Sequence, residues 1–283
     1  ARILHLHESS SDTCQLHITN STTGVTGSDG VSFALGSDES LIINQRESNH
    51  IALKTADTER MRIDSDGNVL LGGLTSKDSS YEGLVPVVQV EGTTANTSTL
   101  SVFRNSNDAY GSFITLGKSR GTSRNSDTIV QSGDTLGYIT WQGADGGERW
   151  RAAAMIKGEI DGTPGDNDMP GRIVFSTTAD GAAAVTERLR ITSAGRLGVG
   201  IAAPTKLLDI ATSTSADGIR VKSTGNTYNE LSFDANRTSA TTHIGRIISH
   251  WNGTAVSYIS MDAGSDTTNK DDGIIRFWTS ADG

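Results

Sequence analysis

Residues 186–210 read TERLRITSAGRLGVGIAAPTKLLDI, and this stretch decides the fold class. Leu189 and Ile191 alternate with arginines, and after a Ser-Ala-Gly turn Leu197 begins a second alternation, with glycines. Pro204 then interrupts the run before a last apolar pair. Alternation with a period of two, bounded by Gly and Pro, is typical of short β-strands with one buried face. The stretch therefore predicts three short strands in a row.

The stretch has a counterpart earlier in the chain, where residues 58–72 read TERMRIDSDGNVLLG. The shared positions are Glu59, Arg60, Arg62 and Gly67 in the first copy and Glu187, Arg188, Arg190 and Gly195 in the second. The first copy departs by having Leu71 between Leu70 and Gly72 and by lacking a counterpart of Pro204. Self-similarity of this kind indicates a repeat protein.

A T-E-R-L-R-I strand (T-E-R-M-R-I in the first copy), a glycine turn, an L-G-V-G strand, a proline and an L-D-I strand follow one another in residues 186–210. This order resembles tail fibres and related receptor-binding appendages of tailed bacterial viruses. The resemblance implies an all-β, elongated repeat of short strands in an intertwined homotrimeric fibre, often upstream of a C-terminal intramolecular chaperone domain. It implies a class of protein and no particular receptor.

The repeats divide the chain into three predicted units. These are residues 1–84, residues 85–205 with long polar loops, and residues 206–283, which form a truncated unit. The pattern stops midway, so we expect the chain to be a window on a longer polypeptide. If the repeat holds, an E-R-x-R-I strand should follow Gly283 within about ten positions.

Further alternating runs predict the remaining strands. Predicted strands cover residues 3–7, 16–18, 31–35, 41–43, 51–53, 87–90, 100–105, 137–141, 152–156, 171–177 and 218–221. Residues 245–251 echo 137–141, and GIIRFWTSADG at 273–283 echoes GRIVFSTTADG at 171–181. The polar stretches 118–134 and 161–168 predict exposed loops.

Composition limits the classes of function. Hydrophobic residues make up 35% and aromatic residues 5% of 283 residues, so a single thick core is not expected. The net charge of −9 argues against a nucleic-acid partner, which needs clustered positive charge. No apolar run approaches the length of a membrane span, so membrane insertion is not expected. The single cysteine, Cys14, excludes an intrachain disulfide framework.

A thin core favours assembly of identical chains. Short strands have small buried faces and free edges, and free edges invite uncontrolled pairing. Identical chains around one axis bury these faces against each other and provide partners for the edges. The residues do not determine the number of copies; a homotrimer is what the family resemblance implies.

His5 and His7 form a His-x-His pair, a pattern that in several viral fibre tips binds an octahedral metal on the axis. Imidazoles suit iron, nickel or zinc. The repeat register argues against a metal here, because both histidines fall opposite the apolar positions of the strand. We expect two surface histidines and no cofactor.

The recurring Glu-Arg pairs have two interpretations: recognition of a carbohydrate or carboxylate, or ion pairs between neighbouring strands or chains that set the register. Their recurrence with the fold motif favours ion pairs. The acidic loops 161–168 and 262–272 lack the ligand spacing of a calcium loop and are interpreted as solvated turns.

Tryptophans are candidates for stacking on sugar rings. Three of them fall within or at the end of strand patterns and are expected in the core: Trp141, Trp251 and Trp278. Trp150, between Arg149 and Arg151, is the candidate for ligand binding.

The carboxylates have no spacing that pairs a general acid with a base, so the sequence predicts no enzyme. It predicts a structural and adhesive segment of a virion tail fibre, with loops 118–134 and 158–170 as contact surfaces. Expected partners are two further copies, other tail or baseplate proteins, and a host polysaccharide or protein receptor. The alternatives are a polysaccharide-cleaving tailspike, which would release reducing ends, and a bacterial adhesin, which would carry a secretion signal or anchor.

Overall fold

The computed structural model describes residues 5–10, 12–73, 75–77, 79–215, 217–226 and 228–280. Within these residues the chain forms 16 strands and two short 3₁₀ turns, Tyr81–Gly83 and Ala95–Thr97, so the all-β prediction is confirmed. The strands are β1 Cys14–Ile18, β2 Val31–Leu35, β3 Leu41–Gln45, β4 Ile51–Thr55, β5 Thr58–Ile63, β6 Val69–Leu71, β7 Val88–Val90, β8 Thr135–Gly143, β9 Arg151–Ile160, β10 Gly171–Thr178, β11 Val185–Ile191, β12 Leu197–Val199, β13 Leu208–Ile210, β14 His243–Trp251, β15 Thr254–Ala263 and β16 Gly273–Thr279.

The chain divides into two compact units, residues 1–215 and residues 216–283. The first unit holds three sheets, with strand orders β1-β2-β3, β4-β5-β6-β7 and β13-β12-β11-β10-β9-β8. The second unit holds one sheet, β14-β15-β16. In the part of the chain that the structure describes, no helix is long and apolar enough to span a bilayer.

The two sequence copies of the motif form the same supersecondary unit. In each copy the Glu-Arg strand pairs antiparallel with the short strand after the glycine turn, and that strand pairs parallel with the next. The three strands of the motif at 186–210 are β11, β12 and β13, as predicted. The amide of Val69 donates to the carbonyl of Val87 over 2.7 Å, and the amide of Leu197 donates to that of Leu207 over 2.7 Å.

The predicted echo between residues 137–141 and 245–251 extends to whole sheets. Strands β8, β9 and β10 form an antiparallel meander, as do β14, β15 and β16. The pairing of β8 with β9 shifts register just before Gly137 and again just after Trp141. The pairing of β14 with β15 shifts register at the two equivalent places, just before Gly245 and just after Ser249. Strand β15 was not predicted, because its alternation is broken by serines.

Two predicted strands are wrong: residues 100–105 and 218–221 are described but form no strand. Their apolar alternation is that of a strand, but a strand also needs a backbone partner, and neither segment pairs with another strand among the described residues. Residues 5–7 of the predicted strand 3–7 are likewise irregular, and residues 3 and 4 lie outside the described residues.

The core is thin. Only six hydrophobic residues are buried among those described, namely Ala34, Leu70, Val130, Met155, Ile160 and Val174. The expectation that three tryptophans belong to the core is wrong: Trp141 is 52%, Trp251 is 79% and Trp278 is 48% exposed. Each side chain is about half or more exposed although its residue belongs to a strand, so position in a strand did not ensure burial.

Candidate functional site: the repeated strand motif and its apolar faces

The Glu-Arg pairs are ion pairs along one strand. Arg62 donates from Nε and Nη2 to the two carboxylate oxygens of Glu59 over 2.6 and 2.8 Å, and Arg190 donates in the same way to Glu187 over 2.6 and 2.6 Å. The hydrogen bond from Arg62 lowers the pKa of the Glu59 carboxyl. The prediction placed these ion pairs between neighbouring strands or chains, and for both pairs that placement is wrong, because the partners lie three residues apart on the same strand.

A β-bulge explains this geometry. Residues three apart on a regular strand point to opposite faces. In the first copy, Leu53 and Lys54 of β4 pair with Met61 and Glu59 of β5, so Arg60 is the extra residue of a bulge. In the second copy, Phe175 and Ser176 of β10 pair with Leu189 and Glu187 of β11, so Arg188 is the extra residue. The extra residue turns the strand, so that the carboxylate before it and the arginine after it share a face.

The bulged arginines have equivalent partners in the two copies. Arg60 donates from Nε to Oγ1 of Thr55 over 2.8 Å, and Arg188 donates from Nε to Oγ1 of Thr177 over 3.0 Å. Every arginine of the motif therefore has a partner within its own sheet.

Two glycines per copy are required for different reasons. Gly67 and Gly195 close the turn, with φ of 85° and 72° and open space where a Cβ would point. Gly72 and Gly200 also have positive φ, 81° and 68°, but a Cβ there would lie 2.2 Å from the carbonyl oxygen of Glu91 or 2.3 Å from that of Ala211. The second glycine thus allows the parallel strand to approach.

The departure of the first copy from the motif has a packing explanation. In the second copy, Pro204 is buried, and its ring lies 3.3 Å from where a Cβ of Gly198 would be. In the first copy the position of Gly198 is taken by Leu70, which is only 1% exposed. A Cβ at Gly198 would also lie 2.5 Å from the carbonyl oxygen of Ile201, so the second copy has no room for a side chain at the position where the first copy buries one.

Trp150 is held by its neighbours. The guanidinium of Arg151 lies 4.5 Å from the ring centre, and Gly83 lies against the ring so closely that a Cβ would be 3.3 Å away. Arg149 pairs with Glu91 over 3.2 Å. The indole therefore anchors the 79–84 segment to the β8–β9 hairpin.

A cleft of about 350 Å³ lies beside the indole and includes Lys77 and Glu148 in its lining. Arg151 pairs with Glu148 over 2.6 Å, so its guanidinium is held over the ring. A stacking sugar would have to displace that guanidinium. Ligand binding at Arg149, Trp150 and Arg151 stays a prediction.

His5 and His7 are both exposed, with ring centres 6.0 Å apart. Across the described residues, no three His, Cys, Asp or Glu side chains are grouped so that they could hold a metal ion. A metal bound between copies was the alternative to two surface histidines, and it stays untested.

The predicted loop 118–134 forms no strand and is closed at its base by one carboxylate. Arg120 donates from Nε and Nη2 to Asp134 over 2.7 and 2.7 Å, and the amide of Gln131 donates to the same carboxylate over 2.9 Å. The hydrogen bond from Arg120 holds the pKa of the Asp134 carboxyl well below its usual range. The other predicted contact surface, residues 158–170, is tied by Arg172, which donates to Glu159 and Asp161 over 2.8 Å each.

The sequence analysis missed a buried cluster around Asp262, which is 1% exposed. Its carboxylate accepts hydrogen bonds from His243 over 2.6 Å and Ser260 over 3.2 Å and is paired with Arg276. The hydrogen bond from His243 lowers the pKa of Asp262. Because the serine donates to the carboxylate and not to the histidine, this is a structural cluster without a nucleophile–base pair. No local motif marks it, since its members come from three strands.

Each sheet carries an apolar row that runs across all or most of its strands and faces outward. The rows, in cross-strand register, are Leu16–Phe33–Ile43, Leu53–Met61–Leu71–Val90, Ile139–Ile156–Phe175–Leu189–Val199–Ile210 and Ile247–Ile259–Phe277. No residue of these rows is buried. Each of the four sheets therefore has one apolar row that the single chain leaves unburied.

The solvent-accessible surface area of the single chain is far larger than that of an ordinary folded monomer. A folded monomer of 29.8 kDa exposes about 11,600 Å², whereas this chain exposes 21658 Å². The excess of about 10,000 Å² is several times the roughly 1,600 Å² that a standard protein–protein interface buries in total. This exposed surface includes the apolar rows, and isolated folded chains rarely expose large contiguous apolar patches.

No protein-family model matches this chain, and no curated protein matches it. A solved structure of the carboxy-terminal domain of the bacteriophage T5 L-shaped tail fibre matches 77% of this chain and 80% of its own, with 15% identity and a TM-score of 0.41. A second, of the same domain with its intramolecular chaperone domain, matches 78% of this chain and 56% of its own, with 14% identity and a TM-score of 0.34. Neither is similar enough to transfer a function. Both are domains of a bacteriophage tail fibre, the class of protein that residues 186–210 resemble.

Proposed function

We propose that this chain is a structural and adhesive segment of a homotrimeric viral tail fibre, located in the virion tail. The observation that carries the proposal is the apolar row repeated on all four sheets. With only six buried hydrophobic side chains among the described residues, a single chain has little to offset the conformational entropy lost on folding. Burying the rows against identical copies supplies the missing core, and the number of three comes from the family resemblance.

The proposed mechanism is binding without chemistry. Three identical chains form a stiff stalk, and the loops 118–134 and 158–170 present the contact surfaces to a host polysaccharide or protein receptor. Three copies in one fibre, and several fibres on one particle, turn weak single contacts into firm attachment through effective concentration. Other tail or baseplate proteins are the partners at the virion end.

The native mass of the full-length protein tests the proposal. Light scattering should give three times the chain mass, and a detergent gel should show the same species until the sample is boiled, as expected for kinetic stability. A monomeric mass would contradict the proposal. Incubation with host surface polysaccharide should release no reducing ends; their release would favour a tailspike enzyme.

Matched variants locate the interface. Phe277→Asp introduces a charge into the apolar row of the β14–β16 sheet, where the phenylalanine is 78% exposed in the single chain. Val25→Asp introduces the same charge at a residue outside every row that is 90% exposed. The first variant should lose the trimer because the charge would be buried without a partner. The control should keep it, and equal behaviour of the two would contradict an interface at the rows.

A further inference from the structure

The sheet of β14, β15 and β16 corresponds to one half of the larger sheet β8–β13. Its three strands match β8, β9 and β10 and have the same antiparallel order. In the larger sheet, β10 pairs with β9 on one edge and with the Glu-Arg strand β11 on the other. In the smaller sheet, β16 pairs with β15, and no strand of the described residues pairs with its other edge, here called the open edge.

Strand β16 has the sequence pattern of the two strands that pair with Glu-Arg strands. All three share an isoleucine, a large apolar residue and a threonine at alternate positions: Ile51, Leu53 and Thr55 in β4, Ile173, Phe175 and Thr177 in β10, and Ile275, Phe277 and Thr279 in β16. In β4 and β10 these residues lie opposite the isoleucine, the apolar residue and the threonine of the Glu-Arg strand. The threonine of β4 and of β10 also accepts a hydrogen bond from the bulged arginine. The pattern of β16 therefore suits the same partner.

Three backbone amides of β16 point to the open edge. The amide of Ser280 donates to the carbonyl of Val256 over 2.8 Å, so residue 280 faces β15. Successive residues of an antiparallel strand face its two neighbours alternately, so the amides of Ile275, Phe277 and Thr279 face away from β15. A row of such groups at a sheet edge is a template for one more strand.

The side chains of β16 are more exposed than those of its counterpart. Phe277 is 78% and Trp278 is 48% exposed, whereas Phe175 of β10 is half-buried and Ser176 is 7% exposed. A neighbouring strand places its own side chains beside those of the strand that it pairs with, as β11 does for β10. A strand at the open edge would cover Phe277 and Trp278 in this way.

The charges of β16 are compatible with a Glu-Arg strand. In the register of the two copies, Arg276 would lie opposite the second arginine of that strand, and like charges directly opposite each other are destabilising. However, Arg276 is paired with Asp262, and the second arginine of each Glu-Arg strand is paired with the glutamate three residues before it. Each cation therefore has its own carboxylate.

We infer that the open edge of β16 binds a further Glu-Arg strand, which follows β16 in the same polypeptide. The two Glu-Arg strands of the described residues, β5 and β11, are already paired with β4 and β10. The same polypeptide is the source because residues 279–283 read TSADG and repeat residues 177–181, TTADG, which lead from β10 towards β11. The open edge belongs to one sheet of one chain, so this binding does not depend on the number of copies in the fibre.

Hydrogen exchange with single-residue resolution on the full-length protein tests whether the open edge is occupied. The amides of Ile275, Phe277 and Thr279 should exchange at least about 100-fold more slowly than those of an unfolded peptide. The amides of Asn252 and Gly253, in the turn between β14 and β15, should exchange much faster and serve as the internal control. A trimeric protein with unprotected edge amides would overturn the inference and leave the proposed function standing. A monomeric protein with protected edge amides would do the reverse.

A disulfide identifies the strand and its source. Thr279→Cys is combined with Cys14→Ser and with a cysteine in place of the threonine of the Thr-Glu-Arg motif after residue 283. These two cysteines should form a disulfide within one chain, because Thr177 and Thr186 lie directly opposite each other in β10 and β11. Thr267→Cys in place of Thr279→Cys should form none.

A non-reducing denaturing gel and peptide mapping read the result. The expected product has the mass of one chain and a closed loop between the two cysteines. A cross-linked pair of chains, the absence of a disulfide in a protein of wild-type native mass, or a full-length sequence without the motif would overturn the inference. Because protection of the edge amides is read on the unmodified protein, a variant that fails to fold does not remove the test.

Discussion

Gly200→Ala should destabilise the protein considerably more than Gly195→Ala, although both glycines have positive φ, 68° and 72°. At Gly195 a Cβ meets nothing within 4 Å, so only the left-handed backbone is penalised. That penalty is roughly 1–2 kcal/mol per chain.

At Gly200 the new Cβ would lie 2.3 Å from the carbonyl oxygen of Ala211. The end of β13 must then move away, which breaks the hydrogen bond of 2.9 Å from the Ala211 amide to the Val199 carbonyl. One lost backbone hydrogen bond adds about 0.5–1.5 kcal/mol, so Gly200→Ala should cost roughly 1.5–3.5 kcal/mol.

Apparent melting temperatures at one fixed scan rate provide the assay, because an intertwined assembly is expected to unfold irreversibly. A difference of about 1 kcal/mol corresponds to roughly 2–4 °C for a chain of this size. The first copy offers an internal repetition, in which Gly72→Ala should cost more than Gly67→Ala, since a Cβ at Gly72 would lie 2.2 Å from the carbonyl oxygen of Glu91. Equal melting temperatures within both pairs would refute the close-approach argument.

Three further outcomes are expected. The pKa of the Asp134 carboxyl is lowered in the folded protein, so the carboxylate stabilises the fold at pH values above its ordinary pKa of about 3.9, and this stabilisation is lost as the pH falls through the pKa of the folded state. Asp134→Asn should therefore flatten the acid side of a plot of melting temperature against pH. An unchanged slope would contradict this role of Asp134. Val174→Ala removes buried methyl groups and should lower the stability of the fold, measured by melting, by about 2 kcal/mol, whereas Val25→Ala, at an exposed residue, should lower it by less than about 0.5 kcal/mol. Equal effects of the two substitutions would show that Val174 does not belong to the core. Trp150→Ala should make the 79–84 segment sensitive to limited proteolysis, because the indole holds that segment, and unchanged cleavage would refute the anchor.

Local patterns were enough to predict the repeated strands. The two Glu-Arg strands, the glycine turns after them and the echo between the β8 and β14 sheets follow from alternation and turn residues, which act within a few positions of the chain. The same reasoning identified residues 118–134 as a loop, since that stretch has almost no apolar face. The thin core was also foreseeable, because composition limits how much apolar surface a chain can bury.

The side-chain geometry of the motif could not be predicted. Regular alternation places Glu59 and Arg62 on opposite faces, and only the bulge at Arg60 brings them together. A bulge depends on how two strands pair, and the sequence of one strand does not contain that information. Trp150 is a similar case, because Gly83, which covers its ring, lies on a separate segment of the chain.

The amino-acid sequence alone thus determined which segments are able to form strands, where they turn, and that they repeat. Tertiary structure decided which of these segments are paired: residues 100–105 and 218–221 have the strand pattern but no strand, since a strand is completed by hydrogen bonds to a neighbour. It also decided that the apolar rows face outward. Alternation divides a strand into two faces, but only the presence or absence of a second layer determines which of them is covered.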